Sequence, residues 1–347
     1  MQDLQFKQRL GTIDKSKWNG ILIYAEQNAG ELHPIVRELI GEAKRLAQKV
    51  AFDVYAVIVG GKGTSDNANK LISYGVREVF AYEDDALNGL RADVYTNVIS
   101  ECIASLRPSI VLIGGTEWGR SLAPRLSTRF NTGLTADCTS LDIDENTDLI
   151  QVRPAFGGNI MAQIRIGITR PQFATVRYRV MDSAKKVDNP TGKVTHQTII
   201  PSTTRSNIQV LESVILKKEK SIEEEEILVV AGRGAANEHD IALLRELADC
   251  LGGQLCFTRP MVEDGYGDVA HQIGLSGRTV KPRLIITCGV SGAIQFTSCM
   301  NGAEHIIAIN KDPQAPIFQV ATKCIVDDLQ DIIPCLIESI HSGKEGI

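Results

Sequence analysis

Between residues 20 and 117, apolar runs of strand length alternate with stretches whose apolar positions recur at helical spacing. GILIYAEQ (Gly20–Gln27) predicts a strand, and Ile35, Val36, Leu39, Ile40, Ala43, Leu46, Ala47 and Val50 fall on one face of a following helix. DVYAVIVGG (53–61) predicts a second strand, NANKLISYG (67–75) a short helix, and REVFAYED (77–84) a third strand. A helix over Asp93–Leu106 stops ahead of Pro108, and SIVLIGGTE (Ser109–Glu117) is a continuous apolar strand, as expected for one covered on both faces of a parallel sheet. Strand and helix in turn predict a doubly wound α/β domain.

After Leu134 the period drops to two. TADCTSLDID (135–144), DLIQVRPAF (148–156), NIMAQIRIG (159–167) and QFATVRYRVM (172–181) alternate apolar and polar residues between Asp, Asn, Gly and Pro turns, and predict an antiparallel extension of the first domain. The segment from Asp182 to Glu226 is polar and turn-rich and reads as a linker region, with TIIP (198–201) and IQVLESVIL (208–216) as short strands inside it. A second α/β unit starts at Ile227. Its strands are ILVVA, QLCFT, LIITC, HIIAIN and KCIVDD, with helices over Glu238–Leu251 and Leu329–Ile340. The expected division is an N-terminal domain with its linker over 1–210 and a C-terminal domain over 211–347, the latter built on a parallel sheet.

Composition adds exclusions. Hydrophobic residues are 43% and charged residues 23% of 347, enough apolar material for two packed cores. A net charge of −5 argues against a nucleic-acid partner, because phosphate neutralisation needs a basic surface. The basic clusters Lys44–Arg45 and Lys217–Lys218–Lys220 lie in mixed-charge segments and read as solvated faces. No apolar run reaches the ~20 residues of a transmembrane helix, and the first residues lack the apolar core of a secretory signal. The eight cysteines form no CxxC pair and no cluster with histidine, so no metal ligands are expected. Several of them, Cys288, Cys324 and Cys335 included, read as reduced core residues in a cytoplasmic protein.

The candidate chemistry lies where the strands of the second domain end. In order, they run into Gly232-Arg233-Gly234, Thr258-Arg259, Gly289-Val290-Ser291-Gly292, Asn310-Lys311-Asp312 and Asp327-Asp328. In a parallel sheet these ends share one edge and face one crevice, the usual nucleotide site of open α/β folds. No GxxxxGK[ST] is present, GRGAAN departs from GxGxxG, and neither HExxH nor GxSxG occurs. His271 reads as structural. The lack of an acid–base team favours a protein that carries a redox cofactor over a stand-alone catalyst of group transfer. A nicotinamide-dependent enzyme or a nucleotide-binding scaffold on the same sheet are the competing readings.

The ordered set of GRG (232–234), TRP (258–260), IGLSG (273–277), GVSGAIQ (289–295), INKDPQAPIFQVA (309–321) and DDL (327–329) resembles the alpha subunits of electron-transfer flavoproteins. TGLTADCT (132–139) and RPAFGGNIMA (153–162) extend the likeness into the first domain, in the bacterial form. The resemblance implies FAD as cofactor. It implies that Arg233, Ser291, Gly292, Ala293 and Ile294 serve the phosphates, and that Asn310, Asp328 and Leu329 hold the adenosine half. Arg259 would lie over the isoalloxazine, Ser276 near its N5, and Gln295 against the ribityl chain, with Thr258, Ile273, Gly274 and Leu275 completing the site. Members of the family pair with a beta subunit and pass electrons between a dehydrogenase, often of the acyl-CoA type, and another redox partner, in some cases within a bifurcating complex. Two positions depart from the family pattern. Phe296 stands where a His usually donates to flavin O2, and Leu275 stands where Gln is common. Tyr178 and Arg179 also replace a frequent Pro-Gly.

Overall fold

The computed structural model describes residues 13–28, 30–155, 160–212 and 221–342. They fall into two compact units, one holding the described residues up to Pro154 and from Met161 to 212, the other holding Ala155, Ile160 and the described residues from 221 to 342.

The strands of the first unit are β1 (Ile21–Tyr24), a small hairpin of β2 (Gln27–Asn28) and β3 (Glu31–Leu32), β4 (Val54–Gly60), β5 (Glu78–Glu83), β6 (Ile110–Gly114), β7 (Leu134–Cys138), β8 (Ser140–Ile143), β9 (Leu149–Ala155), β10 (Ile160–Arg165), β11 (Gln172–Val176) and β12 (Lys193–His196). Seven of them form one sheet in the order β12-β5-β4-β1-β6-β11-β7, and every neighbouring pair is parallel. The pleat divides its side chains between two cores. Ile21 and Ile23 pack with the helix Ile35–Val50, while Leu22 and Tyr24 pack with the helices Ala92–Leu106 and Glu117–Arg129.

Three expectations change here. β7 and β11 belong to the parallel sheet, so the extension is the three-stranded sheet β10-β9-β8 alone, with β8 and β9 antiparallel. The physical reason is burial: all five residues of β11 are enclosed between β6 and β7, and the alternating Arg177-Tyr178-Arg179 lies beyond the strand. TIIP is not a strand. The strand falls earlier, at Lys193–His196, where the chain can pair in parallel with β5 at the sheet edge. Of IQVLESVIL, residues 208–212 form no strand, and 213–216 lie outside the described residues, as do the chain start, 156–159 and the Lys217–Lys220 cluster.

The second unit contains β13 (Ile227–Ala231), β14 (Gln254–Thr258), β15 (Gln272–Ile273), β16 (Leu284–Cys288), β17 (His305–Ile309) and β18 (Lys323–Ile325). They form one fully parallel sheet in the order β15-β14-β13-β16-β17-β18. β15 is a sixth strand beyond the five expected; two residues are too short for a periodic signal. One face is covered by the helices Glu238–Cys250 and Leu329–His341, whose Leu244, Leu247, Ile333 and Ile337 pack on Val229, Ala231 and Ile286. Asn237 and Asp328 cap these helices, accepting from the backbone N–H groups of Asp240 and Gln330. The other face is covered by Phe296, Cys299, Met300 and Ile317 from the connections after β16 and β17. Among the described residues, no helix is long and apolar enough to cross a membrane.

Candidate functional site

The strand order places a topological switch between β13 and β16. The chain proceeds from β13 outward through β14 to β15, then returns to the other side of β13 as β16 and continues outward through β17 and β18. Connections leaving the two central strands therefore diverge and open a crevice between them. Here those connections are Gly232-Arg233-Gly234 and Gly289–Gly292, and they touch backbone to backbone. Gly234 N–H donates to the Gly289 carbonyl at 3.0 Å, and Gly232 N–H to the Cys288 carbonyl at 2.9 Å. A Cβ on Gly289 would lie 2.7 Å from the Gly234 Cα, and one on Gly232 would lie 2.5 Å from the Gly289 carbonyl oxygen. Gly289 is also left-handed, at φ 64°. The floor of the crevice is thus bare backbone, which suits the close approach of a pyrophosphate.

Toward β18 the crevice widens into a cavity of about 290 Å³ lined by Gly234, Gly289, Asn310, Lys311, Asp327 and Leu329. Asn310 is fixed on three sides. Its backbone N–H donates to Ile325, its side-chain amide to the Val290 carbonyl at 2.9 Å, and its Oδ1 accepts from the Asp312 N–H. The Lys311 ammonium meets the Asp328 carboxylate at 2.7 Å. That hydrogen bond, with the Gln330 N–H, holds the Asp328 carboxyl below its ordinary value, and the same bond raises Lys311. Lys311 is solvent-exposed, as a turn lysine usually is, yet it lines the cavity.

Toward β15 the site has a different texture. Thr258, buried at the end of β14, lies in register with the buried Ile273. Arg259 is exposed and bonded to Glu263 one helical turn on, at 2.7 Å. The turn Gly274–Gly277 follows Ile273, and its Leu275 N–H donates to the Gln295 carbonyl, joining the end of β15 to the helix start after β16. Leu275 itself is half-buried, so its backbone is what links the two loops. Ser276 is exposed, and its Oγ accepts from the Gln272 amide at 2.9 Å.

Most of the residues expected from the sequence therefore lie along one edge: Thr258, Arg259 and Ile273–Ser276 on one wing, Arg233 and Ser291–Gln295 in the middle, Asn310, Asp328 and Leu329 on the other. Ser291, Ala293, Ile294 and Gln295 are exposed, and the Ser291 carbonyl is held by the Ile317 N–H at 3.1 Å. Phe296 differs. It is 6% exposed and packed in the core that contains Ile273, Val280, Cys299 and Met300. Gly234 and Gly289 stand among the strand ends expected to face the crevice, whereas Gln272 is found only in the structure: its amide contact depends on a turn that spacing does not reveal.

Cys256 and Cys288 are buried, and burial alone pushes the Cys288 thiol up to about 12. Cys324 and Cys335 are exposed, contrary to their reading as core residues: one is on the edge strand β18, the other on the outer side of the last helix. Among the described residues, no three His, Cys, Asp or Glu side chains gather as a metal site.

A parallel sheet of this order, with a backbone floor at its switch point and polar groups on both wings, defines a dinucleotide-binding domain. Residues 21–201 match the electron transfer flavoprotein domain, and residues 221–301 match the electron transfer flavoprotein FAD-binding domain. Similar proteins include an electron transfer flavoprotein subunit alpha of Thermoanaerobacterium thermosaccharolyticum, 42% identical over 94% of this chain and 99% of that protein. The corresponding subunit of Clostridium acetobutylicum is 40% identical over 96% of this chain and 100% of its own length. The LctC subunit of lactate dehydrogenase (NAD(+),ferredoxin) from Acetobacterium woodii is 48% identical over 96% of this chain and 80% of that protein. The chain belongs to the electron transfer flavoprotein family, as an alpha subunit, and its second unit is that family's FAD-binding domain.

Proposed function

We propose that this alpha subunit pairs with an electron transfer flavoprotein beta subunit in the cytoplasm and carries electrons between a dehydrogenase and a second redox partner. The observation that carries the reading is the bare-backbone switch point inside a domain of the FAD-binding type. FAD supplies the one- and two-electron chemistry; the chain supplies position and electrostatics. In this reading Arg233 and the backbone of Ser291–Ile294 hold the phosphates, Asn310, Asp328 and Leu329 hold the adenosine half, and Thr258, Ile273, Gly274 and Leu275 wall the flavin end. Gln295 orients the ribityl chain. Arg259 adds fixed positive charge where the ring becomes negative. Its bond to Glu263 is an exposed ion pair, worth about 0–1 kcal/mol, so the guanidinium is free to leave it.

For the donor dehydrogenase, the family offers an acyl-CoA type. The similarity to a lactate dehydrogenase subunit favours a 2-hydroxy acid type, and the NAD(+) and ferredoxin in that relative's name favour a complex that splits electrons between two acceptors. Co-expression with an electron transfer flavoprotein beta subunit, followed by addition of candidate dehydrogenases, tests the whole. A yellow complex whose flavin is bleached by lactate but not by an acyl-CoA supports the hydroxy acid reading; the reverse supports the acyl-CoA one. A complex that stays colourless after incubation with FAD overturns the proposal.

A further inference from the structure

The turn after β15 is built around one buried amide. Gln272 is 5% exposed, and its side chain is enclosed by the loop it begins. Its backbone carbonyl accepts from the Arg278 N–H at 2.7 Å, and Gly274 N–H donates back to the Arg278 carbonyl. Gly277 passes so close that a Cβ there would lie 2.3 Å from the Gln272 carbonyl oxygen and 3.0 Å from its Cγ. From inside this loop the Gln272 Nε2 donates to the Ser276 Oγ at 2.9 Å. The Leu275 N–H, bonded to the Gln295 carbonyl, fixes the turn to the connection after β16.

A serine hydroxyl has one proton to give and two lone pairs to receive. An amide N–H directed at Oγ occupies a lone pair and leaves the proton to be given elsewhere. Receiving that bond also polarises the O–H and strengthens it as a donor. Ser276 is exposed on the crevice edge, so its proton is available to a ligand there. An exposed serine without such an anchor would rotate freely and act as donor or acceptor alike.

The geometry points to Gln272 as a positioning residue that commits Ser276 to donating a hydrogen bond into the crevice. This rests on the proposed function together with the family resemblance, which implies that Ser276 faces flavin N5. N5 accepts a hydrogen bond in the oxidised ring and accepts it more strongly as electron density on the ring rises. A committed donor therefore favours uptake of the first electron. Gln272 touches no ligand itself and acts only through Ser276.

The test is a double-mutant cycle read by redox potential, on the complex with its beta subunit. Gln272→Met removes the amide at similar volume, and Gln272→Asn keeps an amide that is one methylene too short to reach Ser276. Each is expected to lower the equilibrium for the first electron about tenfold at most, which is about 59 mV for a one-electron couple. In a Ser276→Ala background the same two substitutions should shift nothing further. The two variants cover each other if either fails to assemble. An unchanged potential in both, or an equal shift with and without the Ser276 hydroxyl, overturns the inference. FAD content is measured in parallel: a wild-type complex that takes up no FAD rejects the functional reading itself, whereas a normally loaded variant with an unmoved potential rejects only the role of Gln272.

Discussion

The two units use the same sheet logic and end it in opposite ways. In each, the chain winds outward from a central strand and then returns to its other side, giving a switch point between β1 and β6 in the first unit and between β13 and β16 in the second. In the second unit that point is floored by Gly232, Gly234 and Gly289 and opens into a cavity. In the first, polar side chains of the strand ends bond one another across it. Thr116 Oγ1 donates to the buried Glu26 carboxylate at 2.6 Å while accepting from the Gly119 N–H, and the Glu26 carbonyl accepts from the His33 N–H. Beside it Gln27 bonds Thr64 and Asn67, each at 2.7 Å. The lesson is that topology offers a site, but the residues at the strand ends decide whether it is given to a ligand or to the protein's own polar groups.

The contrast can be broken most severely at Gly289. Gly289→Val adds a Cβ branch against the Gly234 backbone at a left-handed position. Left-handed strain of about 1–2 kcal/mol and overpacking of about 1–3 kcal/mol should combine to prevent FAD retention and lower the melting temperature of the second unit. Flavin absorbance per protein and a thermal melt check this; normal flavin content would mean the loop contact is not needed.

Next in size is a pH effect confined to the first unit. Glu38, 3% exposed on the helix Ile35–Val50, accepts from the backbone N–H groups of Arg179 and Met181. Burial raises its carboxyl from 4.5 to about 7, with those hydrogen bonds opposing. Because the folded state binds this proton more tightly, the contribution of Glu38 to stability is fully present below pH 4.5 and is lost as pH rises to about 7. Stability of wild type relative to Glu38→Gln should fall on the order of 3 kcal/mol across that window and stay level above it. A difference that is flat with pH contradicts it.

Glu26→Ala should cost the first unit about 1–3 kcal/mol by stranding the Thr116 hydroxyl, with flavin content unchanged. Phe296→His inserts a polar ring in the apolar cluster around Met300 and should destabilise the second unit by a similar ~1–3 kcal/mol. A redox titration of that variant shows whether the imidazole also reaches the flavin: a potential that rises restores the family's usual donor, and one that stays put assigns Phe296 to the core alone. Smallest is Lys311→Ala, which removes an exposed ion pair with Asp328 and should weaken FAD retention by no more than a few-fold, measured by equilibrium dialysis.

Much of the fold was legible because periodicity is strong where burial is strong. The helix Ile35–Val50 and the second unit's five longer strands follow directly from apolar spacing. The helix Glu117–Arg129 did not, since Gly119, Pro124 and scattered polar residues give it a weak pattern; it is held by the Thr116 cap and by packing of Leu122 and Leu126. β11 misled in the other direction, because a strand buried on both faces runs into an alternating loop. At the site, the strand-end residues were readable as a set and the resemblance assigned them an order. What spacing could not show was direction: that Phe296 turns into the core, that Lys311 pairs with Asp328, or that Gln272 reaches Ser276.

The second sheet is six strands wide. With strands about 4.8 Å apart, the outer strands β15 and β18 stand roughly 24 Å from one another, and the proposed contacts to the two halves of FAD lie toward opposite margins. Such a site acts as a bivalent trap. Once one half of the cofactor is seated, the other is presented at an effective concentration that free nucleotide in solution does not match. AMP and FMN added separately should then compete poorly with FAD, and damage to either margin should show first as faster cofactor exchange.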